Sequence, residues 1–372
     1  MEAINWIAAN WWPVVKVILV FGLLIFSHEF GHFFAAKKVG VRVHEFALGM
    51  GPKIWGFKKD ETEYSIRLFP VGGFVNIEGE DEKCSNPDDQ SNFQNKSVGQ
   101  RAIIIASGCI MNYIMALLLF FIVAFFWGEV KSSNIEPTNR IYKLVPGSPA
   151  ERAGIQPKDK IIAIDQKTIT DGKEMVSIIN KNPEKKLIFT VERKNKKFDV
   201  PVVPYKDKAT GEGKIGIFYD VVVTDFIFEK TNFIGAVKFS LQKTFELTVG
   251  PIRLIYMLII KEIPAQMVTE TSSGPVGIMQ MTFVLAKKGL AQILFFAALL
   301  NVALGFFNLI PFPALDGSRL LFLAVEGIRK KPIPQEKEGM VHWVGLIILL
   351  CLVALVTFQD IMRILQGRSF FK

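Results

Sequence analysis

Four long apolar runs, almost free of charged residues, alternate with polar segments along the chain. They cover residues 11–36, 102–127, 289–315 and 341–359. Each run is close to or above the roughly 20 residues that a helix needs to cross a bilayer. The first run is not predicted to be a cleaved signal, because no Lys or Arg precedes it and it ends in His28, Glu29 and His32. The pattern predicts an integral membrane protein with four transmembrane helices.

The polar segment between the second and third runs has a pattern of its own. Short stretches with strand character are separated by Gly, Pro and Asn turns. The predicted strands are 140–145, 160–165, 187–193 and 197–203, with a helix near 173–180. The following piece, 233–263, mixes apolar and charged residues and contains Gly250-Pro251. Because it is too charged to span, we expect a small β-rich module followed by an amphipathic region at the membrane interface.

Composition and charge agree with a membrane protein. Half of the 372 residues are hydrophobic, and 21% are charged. The formal net charge of +9 comes from Lys and Arg in the polar segments. Such an excess is ordinary beside anionic lipid. We therefore expect the lipid bilayer as a partner and no nucleic acid. Cys84, Cys109 and Cys351 are odd in number and lack a CxxC spacing, so no disulfide framework is predicted.

The basic residues also predict an orientation. They follow the first run, precede the second and separate the third from the fourth, at Lys37, Lys38, Arg42, Arg101, Arg329, Lys330 and Lys331. Positively charged short loops face the cytoplasm. Residues 37–101 and 318–340 are therefore predicted to be cytoplasmic, with 128–288 outside.

The end of the first run carries a candidate metal site. In His28-Glu29-Phe30-Gly31-His32, the two imidazoles are four residues apart, on one face of a helix. Ionisable groups inside a membrane span are costly and usually mark function. The sequence therefore predicts one Zn²⁺ per chain, with Glu29 beside it.

A catalytic zinc ion usually takes three protein ligands, so a third ligand must come from elsewhere. The candidates are His44 in the polar loop, His342 at the start of the fourth run and Asp316 after the third run. An interfacial role beside Trp343 is the ordinary interpretation of His342. Asp316 is favoured, because the first and third runs cross in the same direction and both end near the inner face. A cap or turn role after the prolines is the alternative for Asp316.

These residues resemble those of a known family. The HEFGH segment together with 308–317, which reads NLIPFPALDG, looks like the paired motifs of bacterial site-2 proteases, the intramembrane zinc metalloproteases. Residues 72–75 with Gly79-Glu80 are similar to the family's membrane-associated β-hairpin, and 273–277 to its stretch before the third span. In the outer module, the segments that resemble a PDZ domain are 147–150, 153–155 and Asp159.

Three positions depart from the family pattern. Cys109 stands where a proline is usual in the pattern that leads to Asn112. Lys158 replaces a glycine before Asp159, and Ser318 replaces a second glycine after Asp316-Gly317. None of these changes removes a predicted ligand. The outer segment is long enough for one PDZ domain only.

The resemblance implies a polytopic α-helical membrane protein of the bacterial cytoplasmic membrane. It has four transmembrane helices, a cytoplasmic membrane-associated β-hairpin region and one extracytoplasmic β-rich PDZ-like domain. The expected organisation is transmembrane helix 1 with HExxH (1–36), a cytoplasmic loop with the hairpin (37–101), transmembrane helix 2 (102–127), the PDZ-like domain (131–205), an interfacial amphipathic region (206–288), transmembrane helix 3 with the LDG motif (289–317), a cytoplasmic loop (318–340) and transmembrane helix 4 (341–362).

The resemblance also implies a chemistry, metal-assisted peptide hydrolysis near the cytoplasmic face. Zn²⁺ would be held by His28, His32 and Asp316, with Glu29 as general base and acid. Asn308 resembles an asparagine of the family and is expected to orient the substrate backbone. A simple hydrogen bond between helices is the alternative role for Asn308.

The implied substrates are single-span membrane proteins that another protease has already trimmed, such as anti-sigma factors, signal-peptide remnants or pheromone precursors. A transmembrane helix must unwind before it can be cut, because its peptide bonds are hydrogen-bonded internally. The candidate edge for pairing with the unwound strand is Gly72, Gly73, Phe74, Val75 and Asn76; an ordinary cytoplasmic hairpin is the alternative. The candidate PDZ groove for a new C-terminus is Gly147, Ser148, Ala153, Gly154 and Ile155.

Two other functions stay open on the sequence alone. One is a polytopic zinc protease that cuts soluble or lipidated peptides. The other is a non-enzymatic membrane scaffold with a structural metal and a PDZ-like domain that binds protein tails. Glu29 argues against the scaffold, because a structural metal site has no use for a base.

Overall fold

The computed structural model describes residues 2–80, 86, 88–193, 196–207, 210–260 and 273–365. Cys84 and parts of the predicted regions 37–101 and 206–288 lie outside the described residues. The chain forms two units, one of Met1–Lys131 with Phe228–Gly367 and one that contains Ser132–Ile227.

The helices and strands follow in chain order. They are α1 (Glu2–Val39), β1 (Val43–Lys59), β2 (Thr62–Ile77), a 3-10 turn (Phe93–Asn95), α2 (Val98–Phe126), β3 (Glu129–Leu144), α3 (Pro149–Arg152), β4 (Lys160–Ile164), β5 (Lys167–Thr168), α4 (Gly172–Lys181), β6 (Leu187–Arg193), β7 (Lys196–Val202), β8 (Tyr205–Lys206), β9 (Gly213–Lys214), β10 (Ile217–Glu229), α5 (Phe233–Ile259), α6 (Pro275–Lys288), α7 (Leu290–Leu309), α8 (Asp316–Arg329) and α9 (Gln335–Leu365).

The four predicted spans are helical. In the described part of the chain, four helices are long and apolar enough to cross a membrane, at Asn10–Val39, Val98–Phe126, Leu290–Leu309 and Glu336–Leu365. Length and apolarity of this degree are what a bilayer of ordinary thickness requires. The prediction of four transmembrane helices therefore agrees with the structure in number and approximate position.

The third span is shorter than its apolar run. Ile310 takes an extended conformation, with φ −66° and ψ 134°. It precedes Pro311, and the residue before a proline avoids helical geometry. The predicted segment 289–317 is therefore helical only to Leu309, where the two prolines break the helix as the sequence predicts. A new helix, α8, begins at Asp316, so the predicted loop 318–340 opens with helix and not with irregular chain.

Glycine lets α1 and α2 approach closely. A Cβ on Gly31 would stand 2.2 Å from the backbone oxygen of Ser107. On the other side of α2, a Cβ on Gly305 of α7 would stand 3.2 Å from the backbone oxygen of Cys109. Small residues are what allow membrane helices to pack at such distances. The α2 helix therefore packs closely against both predicted spans that carry the metal motifs, α1 and α7.

The fourth span is tied to the rest of its unit near both ends. Asp360 is 2% exposed and accepts hydrogen bonds from the backbone N–H of Gly274 (3.1 Å) and Gly277 (2.7 Å), at the N-terminus of α6. A carboxylate in this position satisfies helix N–H groups that otherwise lack a partner. At the other end, a Cβ on Gly345 would stand 2.1 Å from Cβ of Pro313.

The strands β1 and β2 each fold back, which gives four strand segments, here called ribbons. Residues 45–48 of β1 pair with 63–66 on one side and with 73–76 on the other, and 53–59 pair with 62–67. The ribbon order is therefore 53–59, 62–67, 45–48 and 73–76. The predicted hairpin segment Gly72 to Asn76 is thus strand, and 73–76 lies at one edge of the sheet.

The second unit is a sheet with the order β10-β3-β4-β6-β7, with β5 paired to β4. Its core includes Ile141, Ile161, Met175 and Phe189, each at 0% exposure. The four predicted strands and the helix near 173–180 all lie within elements of this unit or overlap them. The predicted boundary at 205 is too early, because β10 continues the sheet beside β3. The polar stretch before β10 resembles the end of a domain in the sequence.

One ion pair fixes the end of β6 in this unit. Asp159 is fully buried and accepts two hydrogen bonds from Arg193, both of 2.7 Å. These bonds raise the pKa of the Arg193 guanidinium above its ordinary value. Asp159, which the sequence places in the PDZ-like motif, is therefore a structural residue of the second unit.

The α5 helix has its apolar face outward. Its buried positions are small or polar, namely Ala236, Ser240 and Thr244, and the phenyl rings of Phe239 and Phe120 on α2 are 6.3 Å apart. Large apolar side chains such as Phe245 are exposed. A helix with this distribution suits lipid on its outer face. The arrangement is compatible with the predicted interfacial role of this segment.

Candidate metal centre

The α1 helix presents both imidazoles on one face. Residues four apart on a helix lie one above the other, and Nε2 of His28 and Nε2 of His32 are 3.3 Å apart. The two rings meet edge to face, with centroids 4.8 Å apart. Both side chains are largely buried, so the pair faces the interior of the first unit.

Asp316 reaches this pair from almost 300 residues away. Its Oδ2 lies 3.1 Å from Nε2 of His28 and 3.4 Å from Nε2 of His32. Within the described residues, this is the one group of three such side chains whose ligand atoms all lie within 4.8 Å of one another. His44, the other candidate outside the spans, instead contacts Glu78 at 2.6 Å.

The donor set fits zinc. Two imidazole nitrogens and one carboxylate oxygen are the ligand types of catalytic zinc sites. Tetrahedral ligands at about 2.0–2.1 Å from an ion are about 3.3–3.4 Å apart. The three measured separations, 3.1, 3.3 and 3.4 Å, agree with that spacing.

A tight turn between α7 and α8 delivers Asp316. Ala314 has φ +79°, the left-handed region that few non-glycine residues adopt. A Cβ on Gly317 would stand 2.3 Å from the backbone oxygen of Ile310, so the position after Asp316 requires glycine. His342 of α9 accepts a hydrogen bond at Nδ1 from the N–H of Ala314, at 3.1 Å. The turn is therefore held from both of its sides.

The second nitrogen of His32 is also engaged. Its Nδ1–H donates to the backbone oxygen of Ile104 on α2, at 2.9 Å. A proton on Nδ1 leaves the lone pair of Nε2 free for a metal. The backbone of α2 therefore sets the tautomer of His32.

The second nitrogen of His28 meets a buried polar cluster. Nδ1 of His28 lies 3.1 Å from the side-chain amide of Asn112, whose other end contacts Ser27 at 2.8 Å. Ser27 also bonds Asn301 of α7 at 3.0 Å. Asn112 and Asn301 are 0% exposed. A metal at Nε2 requires that His28 donate from Nδ1, which the amide accepts when its oxygen faces the imidazole.

The sequence pattern that defines peptidase family M50 matches residues 16–352. The chain belongs to peptidase family M50. This M50 peptidase is a membrane protein and a zinc metalloprotease with zinc as its cofactor, and the resemblance to site-2 proteases is confirmed.

Two relatives show how far the similarity extends. Zinc metalloprotease RasP of Oceanobacillus iheyensis is 32% identical over 94% of this chain and 99% of its own length. The regulator of sigma-W protease RasP of Bacillus subtilis is 32% identical over 94% of this chain and 98% of its own. The PDZ domain of an SdrC-like protein from Listeria innocua is 20% identical, with a TM-score of 0.20, over 22% of this chain and 92% of that chain.

Glu29 of the M50 peptidase lies beside the edge ribbon of the β-sheet. The backbone of Val75 hydrogen-bonds its carboxylate. A Cβ on Gly73 would stand 3.4 Å from Cγ of Glu29 and 2.9 Å from the Ile25 side chain, so the ribbon runs close along α1. The predicted base and the predicted edge strand are therefore neighbours.

Asn308 of the M50 peptidase is half-buried at the end of α7. Among the described residues, none is seen to hydrogen-bond its side chain. The role of an interhelical hydrogen bond falls to Asn301, two turns earlier, through its contact with Ser27. This arrangement leaves the Asn308 amide available for other partners.

The predicted PDZ groove residues of the M50 peptidase divide into two groups. Gly147 and Gly154 are exposed, and Ala153 is half-buried. Ser148 is 5% exposed and its Oγ accepts the N–H of Glu151 at the start of α3, while Ile155 is 2% exposed and belongs to the core. Ser148 and Ile155 are therefore buried in this unit, and the ligand groove itself stays a prediction.

Several residues of this site were not singled out as site residues by the sequence. They are Ser27, Gly31, Gly108, Asn112 and Asn301. The signal for Asn112 was the family pattern that leads to it. His342 was interpreted as an interfacial residue, but its ring lies against the turn before Asp316.

Proposed function

We propose that this M50 peptidase cleaves single-span membrane proteins in or near their transmembrane segments, with His28, His32 and Asp316 as zinc ligands and Glu29 as general base. The observation that carries the proposal is the meeting of these three ligand atoms. Two of them lie on α1, a helix long and apolar enough to cross a membrane, and the third follows α7, another such helix. A site built there is reached most directly by a substrate that is itself in the membrane.

The chemistry divides between the metal and the chain. When bound, zinc supplies Lewis-acid activation of water and of the scissile carbonyl. Glu29 takes the proton of the attacking water and delivers it to the leaving amine. The N–H of Val75 orients the Glu29 carboxylate for this transfer.

A cavity of about 610 Å³ lies beside α8, and we propose it as the route of water toward the site. Its wall includes Arg319, one turn after Asp316, and Ile105, next to the carbonyl that holds His32. The ion pairs Arg101–Glu326 and Arg319–Glu80 also line it. We expect this polar cavity to hold water, because charged walls keep a space hydrated.

The edge ribbon 73–76 is the candidate binding element for unwound substrate. Its inner side pairs with β1, and its Val75 backbone hydrogen-bonds the carboxylate of Glu29. An extended peptide that pairs with this edge would lie along the predicted base. The same sheet exposes Trp55, Phe57 and Phe69, side chains suited to a lipid surface, which supports a membrane-associated hairpin.

The basic residues of the short loops support a proposal for location and orientation. We place the protein in the bacterial cytoplasmic membrane, with 37–101 and 318–340 cytoplasmic and the second unit extracytoplasmic. The Bacillus subtilis relative is named a regulator of sigma-W protease. A pre-trimmed anti-sigma factor is therefore the first substrate class to test.

The decisive experiment uses purified protein in lipid vesicles. A single-span helical substrate and a soluble peptide with the same cleavage sequence are offered to the wild type and to Glu29→Gln. We expect cleavage of the membrane substrate by the wild type only, with equal zinc content in both proteins. Cleavage of the soluble peptide alone would overturn the proposal and favour a protease that acts on soluble or lipidated peptides.

A further inference from the structure

The turn that delivers Asp316 has little of its own to hold it. Two backbone bonds lie within it, from Phe312 to Ile310 (2.7 Å) and from Leu315 to Phe312 (3.1 Å). Ala314 adopts φ +79°, a conformation that costs a non-glycine residue energy and persists only where the surroundings impose it.

The contact that holds Ala314 in this conformation comes from α9. Nδ1 of His342 accepts the N–H of Ala314 at 3.1 Å, which makes His342 the partner of the strained residue. The imidazole is packed against Phe322 of α8, with ring centroids 6.0 Å apart. The ring is therefore fixed by the same helix that Asp316 begins.

The other nitrogen of His342 has no such use. Nε2 is buried without a hydrogen-bond partner in the described part of the chain, and the nearest carboxylate, Glu338, lies 3.8 Å away. Because Nδ1 accepts, Nε2 carries the proton. The single polar bond of this side chain is therefore the one to the turn.

The α9 backbone also approaches the turn. A Cβ on Gly345 would stand 2.1 Å from Cβ of Pro313 and 2.6 Å from its backbone oxygen. The α9 helix thus contacts the Pro313–Ala314 segment at two positions one helical turn apart. His342 does so by a hydrogen bond and Gly345 by close packing.

We propose that His342 is a positioning residue for the zinc site, which holds the Pro313–Ala314 turn so that Asp316 reaches the two imidazoles. The inference rests on the proposed function, in which Asp316 is the third ligand. His342 touches neither substrate nor metal. It acts through the backbone of Ala314, and its effect is on zinc affinity and turnover.

The test is a set of substitutions at His342 in the full chain. His342→Leu removes the acceptor, and outer residues that orient metal ligands typically contribute about 10–100-fold to metal affinity. We expect a weakening of zinc affinity in that range, with a lower kcat and an unchanged KM. His342→Asn places an oxygen where Nδ1 stood and should restore most of both values. His342→Gln places its polar atoms near Nε2 and should not.

Two further readouts separate positioning from mere packing. The absorption spectrum of the Co²⁺-substituted protein should change in His342→Leu and return to the wild-type form in His342→Asn. Gly345→Ala should weaken zinc binding as well, while Gly339→Ala on the same helix should not, because a Cβ there meets nothing within 4 Å. Each variant is compared at equal folded fraction.

The outcomes distinguish this inference from the proposed function. If Asp316→Ala loses zinc while His342→Leu binds zinc and turns over like the wild type, the positioning role is wrong and the ligand set stands. If His342→Asn is as impaired as His342→Leu, the hydrogen bond is not the cause and the inference is overturned. Full zinc occupancy in Asp316→Ala would overturn both.

Discussion

The backbone of Gly108 on α2 packs directly against the imidazole of His32. A Cβ in its place would stand 2.3 Å from Nε2 of His32, and 2.9 Å from Cε1 of His28. Any side chain larger than that of glycine at this position would therefore displace one or both imidazoles.

Gly108→Ala should reduce zinc affinity strongly, because a methyl group at that distance must displace a ligand. Equilibrium dialysis against a zinc buffer measures the effect. Gly99→Ala is the matched control on the same helix, since a Cβ there meets nothing within 4 Å. Equal zinc affinity in the two variants would contradict the close approach.

Asn112→Leu should weaken zinc binding by about 10–100-fold, because His28 loses the group that orients its ring. Asn112→Asp keeps an acceptor and should lose less. Asn308→Leu provides the comparison with a second asparagine of the membrane helices: we expect its zinc affinity to stay at the wild-type value and its turnover of membrane substrate to fall. A drop in zinc affinity for Asn308→Leu as large as that for Asn112→Leu would refute this division of roles.

Proline at Phe74 or Val75 should lower turnover of a transmembrane substrate and leave zinc bound, because proline removes an N–H from the edge ribbon. At Val75 it also removes the bond to Glu29. Proline at Lys58, in the ribbon at the opposite edge of the sheet, is the control. Turnover unchanged by both prolines would retire the edge ribbon as the substrate-binding element.

Excision of 132–227 should leave the zinc site intact, because the unit to which these residues belong is separate from the one that holds the metal ligands. A short Gly-Ser linker can close the gap, since a Cβ on Gly128 would stand 2.4 Å from the backbone oxygen of Glu229. We expect cleavage of a pre-trimmed substrate to persist and cleavage of an untrimmed substrate to appear. Loss of zinc from the folded, excised protein would show that the second unit is needed for the site.

Labelling with an impermeant thiol reagent tests the proposed orientation. In an active, cysteine-free background, a cysteine at Lys185 should react in intact cells, and a cysteine at Lys59 only after lysis. Both positions are exposed in the structure, so accessibility does not confound the comparison. The reverse pattern would invert the topology.

The two metal motifs could be found in the sequence because each is local. The spacing of His28 and His32 follows from helix geometry alone, and Asp316 stands at the end of an apolar run after two prolines. Gly108 and Asn112 gave no such signal by spacing. Their roles depend on how α2 is rotated against α1, which is set by contacts between helices and not by the pattern within one helix.

The C-terminal boundary of the second unit was predicted too early for a related reason. Strand β10 belongs to the sheet through its pairing with β3, which lies some 80 residues earlier in the chain. Such a partner cannot be read from local alternation. The same holds for His342, whose hydrogen bond to Ala314 joins two segments that the sequence separates by a helix.

The chain leaves the first unit after Lys131 and returns at Phe228, and next to these points the backbones of Gly128 and Glu229 are in contact. In evolutionary terms, the second unit is an insertion at a single site of a scaffold that is otherwise continuous. A recombination event at that site can add, duplicate or exchange the second unit without altering any of the proposed metal ligands. The second unit and the unit with the proposed metal ligands can therefore diverge at different rates within one lineage.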